Sequence, residues 1–281
     1  MNRFAPRRAL GRTGFVATAL GVGDLADRSL GKDTCVKTLR RALDAGLNLV
    51  DTAPMYEDGF SEEVVGAALQ GRREGIFVID KIDELAEPAG PQMDASVARL
   101  GFVPDAFVFH AVPDMKTWSQ LRMDELVGRV RFRGVSSHHP DVVRAAIESG
   151  TCDLVMFAVG PLVHARYTEE LLPLAKARGV GTVCFKTFGA GKLVADTEGY
   201  GKPSAKTGLP RLTIAECMHA TLTLDPDVAL VGLSTPEEQD QAFEAARTFR
   251  PLSREALADV RRRAALAAKD KGRLHWDPPS A

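Results

Sequence analysis

Short apolar runs alternate with segments whose apolar residues recur at helical spacing, and this rhythm continues to near residue 246. Arg8-Ala9-Leu10, the turn Gly11-Arg12-Thr13-Gly14 and Phe15-Val16 predict a short hairpin. The strand-like runs are Thr18–Val22, Leu47–Val50, Ile76–Ile79, Ala106–Phe109, Arg131–Val135, Asp153–Phe157, Val180–Phe185 and Val228–Val231. Between them lie helical patterns: Asp33 capping a helix to Ala45, Ser61–Gln70, Gln92–Leu100, a helix near Trp118–Val127, Pro140–Ser149, Thr168–Arg178, Thr213–Leu222 and Pro236–Thr248. A last helix is expected over Arg254–Lys269. Eight strand-helix pairs predict an α/β fold, a closed (β/α)₈ TIM barrel with an N-terminal hairpin and an extra C-terminal helix and tail, forming one domain over residues 1–281. The rival, a doubly wound open sheet, puts a glycine fingerprint after its first strand. Gly21-Val22-Gly23-Asp24 lacks the third glycine.

Three successive strand runs end in polar residues: Asp51, then Asp80-Lys81, then His110. Lys81 follows Asp51 by 30 positions and His110 follows Lys81 by 29, one strand-loop-helix-loop unit per step. The C-terminal strand ends of a parallel barrel open onto one face, where such folds build their chemistry. An acid, an amine and an imidazole on one rim, with Tyr56 in the loop after Asp51, predict an active site. Asp80 alternates with Lys81 along the strand and is expected to point away from the pocket.

The 36 basic and 37 acidic residues give a net charge of −1, which offers no broad electrostatic footprint for nucleic acid or an anionic membrane. No run approaches the roughly 18 consecutive apolar residues of a membrane span. The N-terminal Arg3, Arg7 and Arg8 precede no apolar stretch, so no secretory signal is expected. The four cysteines, Cys35, Cys152, Cys184 and Cys217, show no metal or redox spacing, and a cytoplasmic location is the simpler expectation. Arg261-Arg262-Arg263 with Lys269, Lys271 and Arg273 is expected to be a solvated face. His138-His139 has no nearby carboxylate or cysteine to complete a metal set. The connection Lys186–Pro210 is longer than a plain connector needs.

The block Gly46-Leu47-Asn48-Leu49-Val50-Asp51-Thr52-Ala53-Pro54-Met55-Tyr56, then Ser61-Glu62, Lys81, His110 and Gly134-Val135-Ser136, resembles the aldo-keto reductase family over nearly the whole chain. The resemblance implies the same barrel and an NAD(P)-dependent oxidoreductase acting on aldehydes, ketones or sugar hydroxyls. It implies Tyr56 as general acid/base, Lys81 and Asp51 as the pair that tunes it, and His110 as the group orienting the carbonyl. For the cofactor it implies Gly23, Ser136 and Ser137 at strand ends, and Phe185 stacking on the nicotinamide. Lys186, Thr187, Phe188, Gly189 and Gly191 would lie over the pyrophosphate, and Gly232, Ser234, Glu238 and Gln241 near the adenosine. Met55, Trp118 and Trp276 would line the substrate pocket. NADP(H) is favoured over NAD(H), no metal is needed, and the partner is a small carbonyl or alcohol bound by a monomer.

The sequence departs from the family's pattern in places. Ser137 stands where Asn is usual, Met156 where Gln is usual, and Glu238 where many NADP-preferring relatives carry Arg. Met156 cannot donate to a carboxamide and reads as core filler; Glu238 could accept a ribose hydroxyl instead of a phosphate. Two alternatives stay open: a cofactor-binding regulatory protein with little turnover, and a barrel aldolase using Lys81 as a Schiff base.

Overall fold

The computed structural model describes residues 4–277 except Gly201 and Leu233. Eight parallel strands form a closed barrel: β1 (Leu20–Val22), β2 (Leu49–Asp51), β3 (Phe77–Ile82), β4 (Ala106–Phe109), β5 (Phe132–Ser136), β6 (Leu154–Ala158), β7 (Gly181–Phe185) and β8 (Val228–Val231). The last strand pairs with the first, Leu230 opposite Gly21. The helices are α1 (Lys32–Asp44), α2 (Phe60–Leu69), α3 (Ala89–Leu100), α4 (Met115–Gln120), α5 (Pro140–Glu148), α6 (Leu172–Arg178), α7 (Ile214–Thr223), α8 (Pro236–Arg247) and α9 (Arg254–Ala267). Arg7–Ala9 pairs antiparallel with Val16–Thr18 as the expected hairpin.

Strand alternation splits the apolar residues into an interior and an outer layer. Leu49, Phe77, Ile79, Ala106, Val108, Leu154, Met156, Val183, Val228 and Leu230 fill the barrel, joined by Leu10 and Ala17 of the hairpin. Val22, Val50 and Val78 face outward, onto Leu39, Leu43, Val64 and Val65 of α1 and α2. Burying each such side chain contributes about 1.5–3 kcal/mol, so register is strongly fixed. Gly21 occupies an interior position of β1, where a Cβ would come within 2.9 Å of Leu49, Leu230 and Val228 side-chain atoms.

Several boundaries differ from expectation for local reasons. β1 starts at Leu20 because Ala17 and Thr18 belong to the hairpin. Asp33 is not the α1 cap: Gly31 holds that position with φ 78°, and Asp33 sits in the first turn. The segment near Trp118–Val127 divides into α4 and a 3₁₀ turn over Met123–Leu126. The segment from Thr168 opens with a π turn, Tyr167–Leu171, beside Pro173, which has no N–H to donate. The long connection carries structure of its own, a 3₁₀ turn at Gly189–Gly191 and a small antiparallel pair, Thr197–Gly199 with Lys202–Pro203. Lys271 is not solvated: it is fully buried, and its Nζ donates to the carbonyls of Lys192 at 2.9 Å and Ala195 at 2.7 Å. All four cysteines are buried and unpaired.

Candidate active site

Asp51, Lys81 and His110 each stand two residues beyond an interior apolar residue: Leu49, Ile79 and Val108. Period-two alternation therefore turns all three inward at the C-terminal mouth of the barrel. Lys81 Nζ lies 2.7 and 2.8 Å from the two Asp51 oxygens and donates to Thr52 O at 2.7 Å. Both side chains are essentially inaccessible. Three donor protons thus meet three oxygens, so the buried ammonium is fully satisfied.

Tyr56 comes from the loop after β2. Glu57, Asp58 and Gly59 follow it with φ of 52°, 51° and 82°, a run of left-handed residues that turns the chain back into α2. Arg28 clamps this loop by donating to Glu57 O at 3.0 Å and Asp58 O at 3.3 Å. The Lys81 ammonium sits 4.4 Å from the Tyr56 ring centroid, and the His110 ring meets Tyr56 edge-on at 5.8 Å. Asp80 faces the other way, toward buried Glu62 of α2, which Arg99 grips at 2.6 and 3.1 Å. Burial first, then Glu62, raise the Asp80 carboxyl well above the usual range, so no second carboxylate competes for Lys81.

Burial pushes the Tyr56 phenol above its ordinary value; Lys81 opposes the rise and Asp51 adds to it. Burial alone would lower Lys81, but Asp51 and Tyr56 outweigh it and the ammonium is held more firmly than usual. Asp51 is raised by burial against the pull of Lys81. His110 is lowered, chiefly by burial, with Asp83 pulling the other way. The phenol is therefore a proton donor through the neutral range, poised between a cation and an imidazole.

The remaining predicted residues fall into three groups. Gly23 and Gly232 lie side by side at the ends of β1 and β8, with Gly23 N–H donating to Val231 O at 3.0 Å. Ser136 and Phe185 end β5 and β7, and the Phe185 ring meets His138 at 5.3 Å. Ser137 uses its hydroxyl locally, donating to Val112 O at 2.7 Å and accepting from His139 N–H at 2.9 Å. Met156 is interior filler, as expected.

The Gly-rich loop places Lys186, Gly189, Ala190 and Gly191 at positive φ. Lys186 Nζ bonds Tyr200 Oη and lies among the Phe185, Tyr200 and Trp276 rings. Phe188 is half-buried between two core clusters. Gln241 is exposed on α8, and Leu233 of the strand-eight segment lies outside the described residues.

Glu238 closes a capping box with Thr235, one of its oxygens accepting the N–H groups of Ser234 at 2.8 Å and Thr235 at 3.2 Å. One expectation is corrected. Trp276 does not line a pocket. It is fully buried in the outer core, its Nε1 donating to Leu162 O at 2.9 Å, and it anchors the tail. Met55 is 60% exposed at the mouth, and Trp118 is half-buried against the outer core.

Two acids escaped the sequence reading. Asp24, after β1, accepts Ala26 N–H at 3.0 Å and lies within electrostatic reach of Asp51 and Lys81. Asp83 bonds His110 Nδ1 at 2.6 Å. Asp83 stands two positions beyond Lys81, so the alternation that picked out Lys81 could have been carried one step further.

The model of the Aldo/keto reductase family matches residues 18–225. The chain belongs to the aldo/keto reductase family. It is accordingly an NAD(P)-dependent oxidoreductase of carbonyl compounds. An L-galactose dehydrogenase of Arabidopsis thaliana is 28% identical, over 90% of this chain and 92% of that protein. An NADH-specific methylglyoxal reductase of Escherichia coli (strain K12) is 28% identical over 61% of each. Among solved structures, an aldo-keto reductase from Klebsiella pneumoniae in complex with NADPH superposes with a TM-score of 0.70 at 20% identity, covering 98% of this chain and 97% of that one. The holo form of an aldo-keto reductase from Bacillus halodurans gives 0.70 at 23%, covering 96% and 98%. These structural likenesses bear on the fold.

The residues at the mouth fit a dinucleotide. Among the described residues Thr187 Oγ1 is buried with no hydrogen-bond partner, in a loop that also carries Lys186, Gly189, Ala190 and Gly191 at positive φ. An orphaned hydroxyl beside a lysine suits an anionic oxygen. Phe185 ends β7 and is half-buried. Among the described residues no group of His, Cys, Asp and Glu could hold a metal, and no helix is long and apolar enough to cross a membrane.

Proposed function

We propose that this protein reduces small aldehydes and ketones at the site formed by Tyr56, Lys81, Asp51 and His110. The observation that carries the reading is the Lys81 ammonium, fixed by both oxygens of buried Asp51 and lying 4.4 Å from the Tyr56 ring. That arrangement keeps a positive charge beside a phenol that must lose its proton and regain it. A bound nicotinamide dinucleotide would supply the hydride.

The protein's own residues would then do the following. Phe185, Ser136, Thr187 and the backbone of the Gly189–Gly191 turn hold the dinucleotide. Tyr56 gives its proton to the carbonyl oxygen, and Lys81 stabilises the phenolate that remains. Asp51 keeps the ammonium in place. His110 orients the substrate oxygen.

NADP(H) is the first cofactor to test, because the Klebsiella structure holds NADPH. NADH comes second, since one Escherichia coli relative is described as NADH-specific. α-Oxoaldehydes and aldoses head the substrate panel, because two relatives are a methylglyoxal reductase and an L-galactose dehydrogenase.

The test is titration of cofactor fluorescence with NADPH and NADH, followed by turnover across that panel. Saturable binding with turnover that Tyr56→Phe abolishes, while binding persists, supports the reading. Binding without turnover by the wild type would favour a regulatory role instead.

A further inference from the structure

His110 meets a carboxylate as well as the pocket. Its Nδ1 lies 2.6 Å from Asp83 Oδ1, and the other Asp83 oxygen accepts the Met55 N–H at 2.7 Å. Asp83 is thus held at both oxygens. A carboxylate only accepts, so the 2.6 Å contact requires the proton on Nδ1. In a neutral imidazole the second nitrogen, Nε2, then carries a lone pair and no proton. Among the described residues Nε2 makes no hydrogen bond to the protein.

We infer that Asp83 is a positioning residue that locks His110 in its Nδ1–H tautomer, so the neutral ring accepts a hydrogen bond at Nε2 and only the imidazolium donates one. This rests on the site above being where substrate binds. A carbonyl oxygen accepts hydrogen bonds, so carbonyl reduction draws on the imidazolium. An alcohol hydroxyl can donate, so the neutral ring suits the alcohol.

The groups facing His110 are Asp51 from β2, Tyr56 from the following loop, Lys81 from β3, Asp83 just beyond it, and His138 after β5. Burial and Lys81 disfavour the imidazolium, and Asp83 and Asp51 favour it. With the net balance lowered, kcat/KM for reduction should fall as pH rises through a midpoint below the usual imidazole value, by about tenfold per pH unit.

The decisive variant is Asp83→Asn. The Met55 N–H would keep the amide oxygen, which leaves the NH₂ group facing Nδ1. Nδ1 must then accept, and the proton moves to Nε2. The neutral ring becomes a donor to the carbonyl. The expected result in the full-length protein is twofold. Histidine ¹⁵N spectra show His110 protonated at Nδ1 in the wild type and at Nε2 in the variant. The fall of kcat/KM through the His110 midpoint disappears in Asp83→Asn.

A wild type with the proton on Nε2 overturns the inference without any variant. So does an Asp83→Asn protein that keeps both the tautomer and the pH profile. A purely structural Asp83 would lower stability and move neither. If the substrate site itself were wrong, the spectra would still report the tautomer, while His110→Ala and Tyr56→Phe would leave turnover intact.

Discussion

Replacing Lys81 with Met removes a charge from a place with no water to substitute for it. The ammonium is about 1% exposed and bridges both oxygens of an Asp51 that is 4% exposed. Taking away one partner of such a pair leaves an uncompensated buried charge, at a cost of about 3–5 kcal/mol. The same change reaches the chemistry. At 4.4 Å from the Tyr56 ring and an effective dielectric near 20, the Lys81 charge favours the phenolate by about 4 kcal/mol. Losing it weakens the phenol as an acid by nearly three orders of magnitude. Since positioned acid–base groups contribute about 10²–10⁴-fold, kcat for reduction should drop within that range at saturating cofactor.

Stability and catalysis can be separated with the double variant Asp51→Leu/Lys81→Met. An apolar pair of similar volume is about as stable as a buried ion pair, or more so. The double variant should recover most of the lost stability and none of the activity. Urea unfolding gives the first quantity, and single-turnover reduction gives the second. The reasoning fails if Lys81→Met keeps kcat within tenfold, or if the double variant is as unstable as the single one.

Further outcomes follow from the same geometry. Glu238→Arg removes the carboxylate that occupies the Ser234 and Thr235 amides and should shift the NADPH-to-NADH ratio of kcat/KM toward NADPH; an unchanged ratio would place the 2′ position elsewhere. The loss of the capping contact should cost α8 about 1 kcal/mol. The His138 imidazole is pushed down to about 3, first by burial and then by the Lys186 ammonium, with smaller contributions from the nearby His275, His110 and His139 rings. Because the folded value lies below the unfolded one, its stabilising contribution is full above about 6.5 and is lost as pH falls toward 3. His138→Phe should therefore flatten the decline of the urea midpoint over that window, and a decline as steep as the wild type would refute the assignment. Trp276→Ala should cost about 3–5 kcal/mol and release the tail, read as a lower urea midpoint and faster proteolysis beyond residue 270.

The barrel and the core of the site were legible from the chain alone, because both rest on period-two alternation. Leu49, Ile79 and Val108 are interior, so Asp51, Lys81 and His110 had to follow them inward, and Asp80 had to face out. Tertiary structure decided what alternation does not encode. Glu238 is not an example, since its capping box with Thr235 is local and follows from the Thr-x-x-Glu spacing. Lys271, in a charged stretch that reads as solvated, was drawn inside by the carbonyls of Lys192 and Ala195, which lie far away in the chain. Trp276 became a core residue for a similar reason, its partner carbonyl at Leu162 lying 114 positions away in the chain. Asp83 acquired its meaning only when folding set it against His110, 27 residues later. Local pattern determined which way each strand residue points; only the packed structure determined which polar groups, once buried, had to find each other.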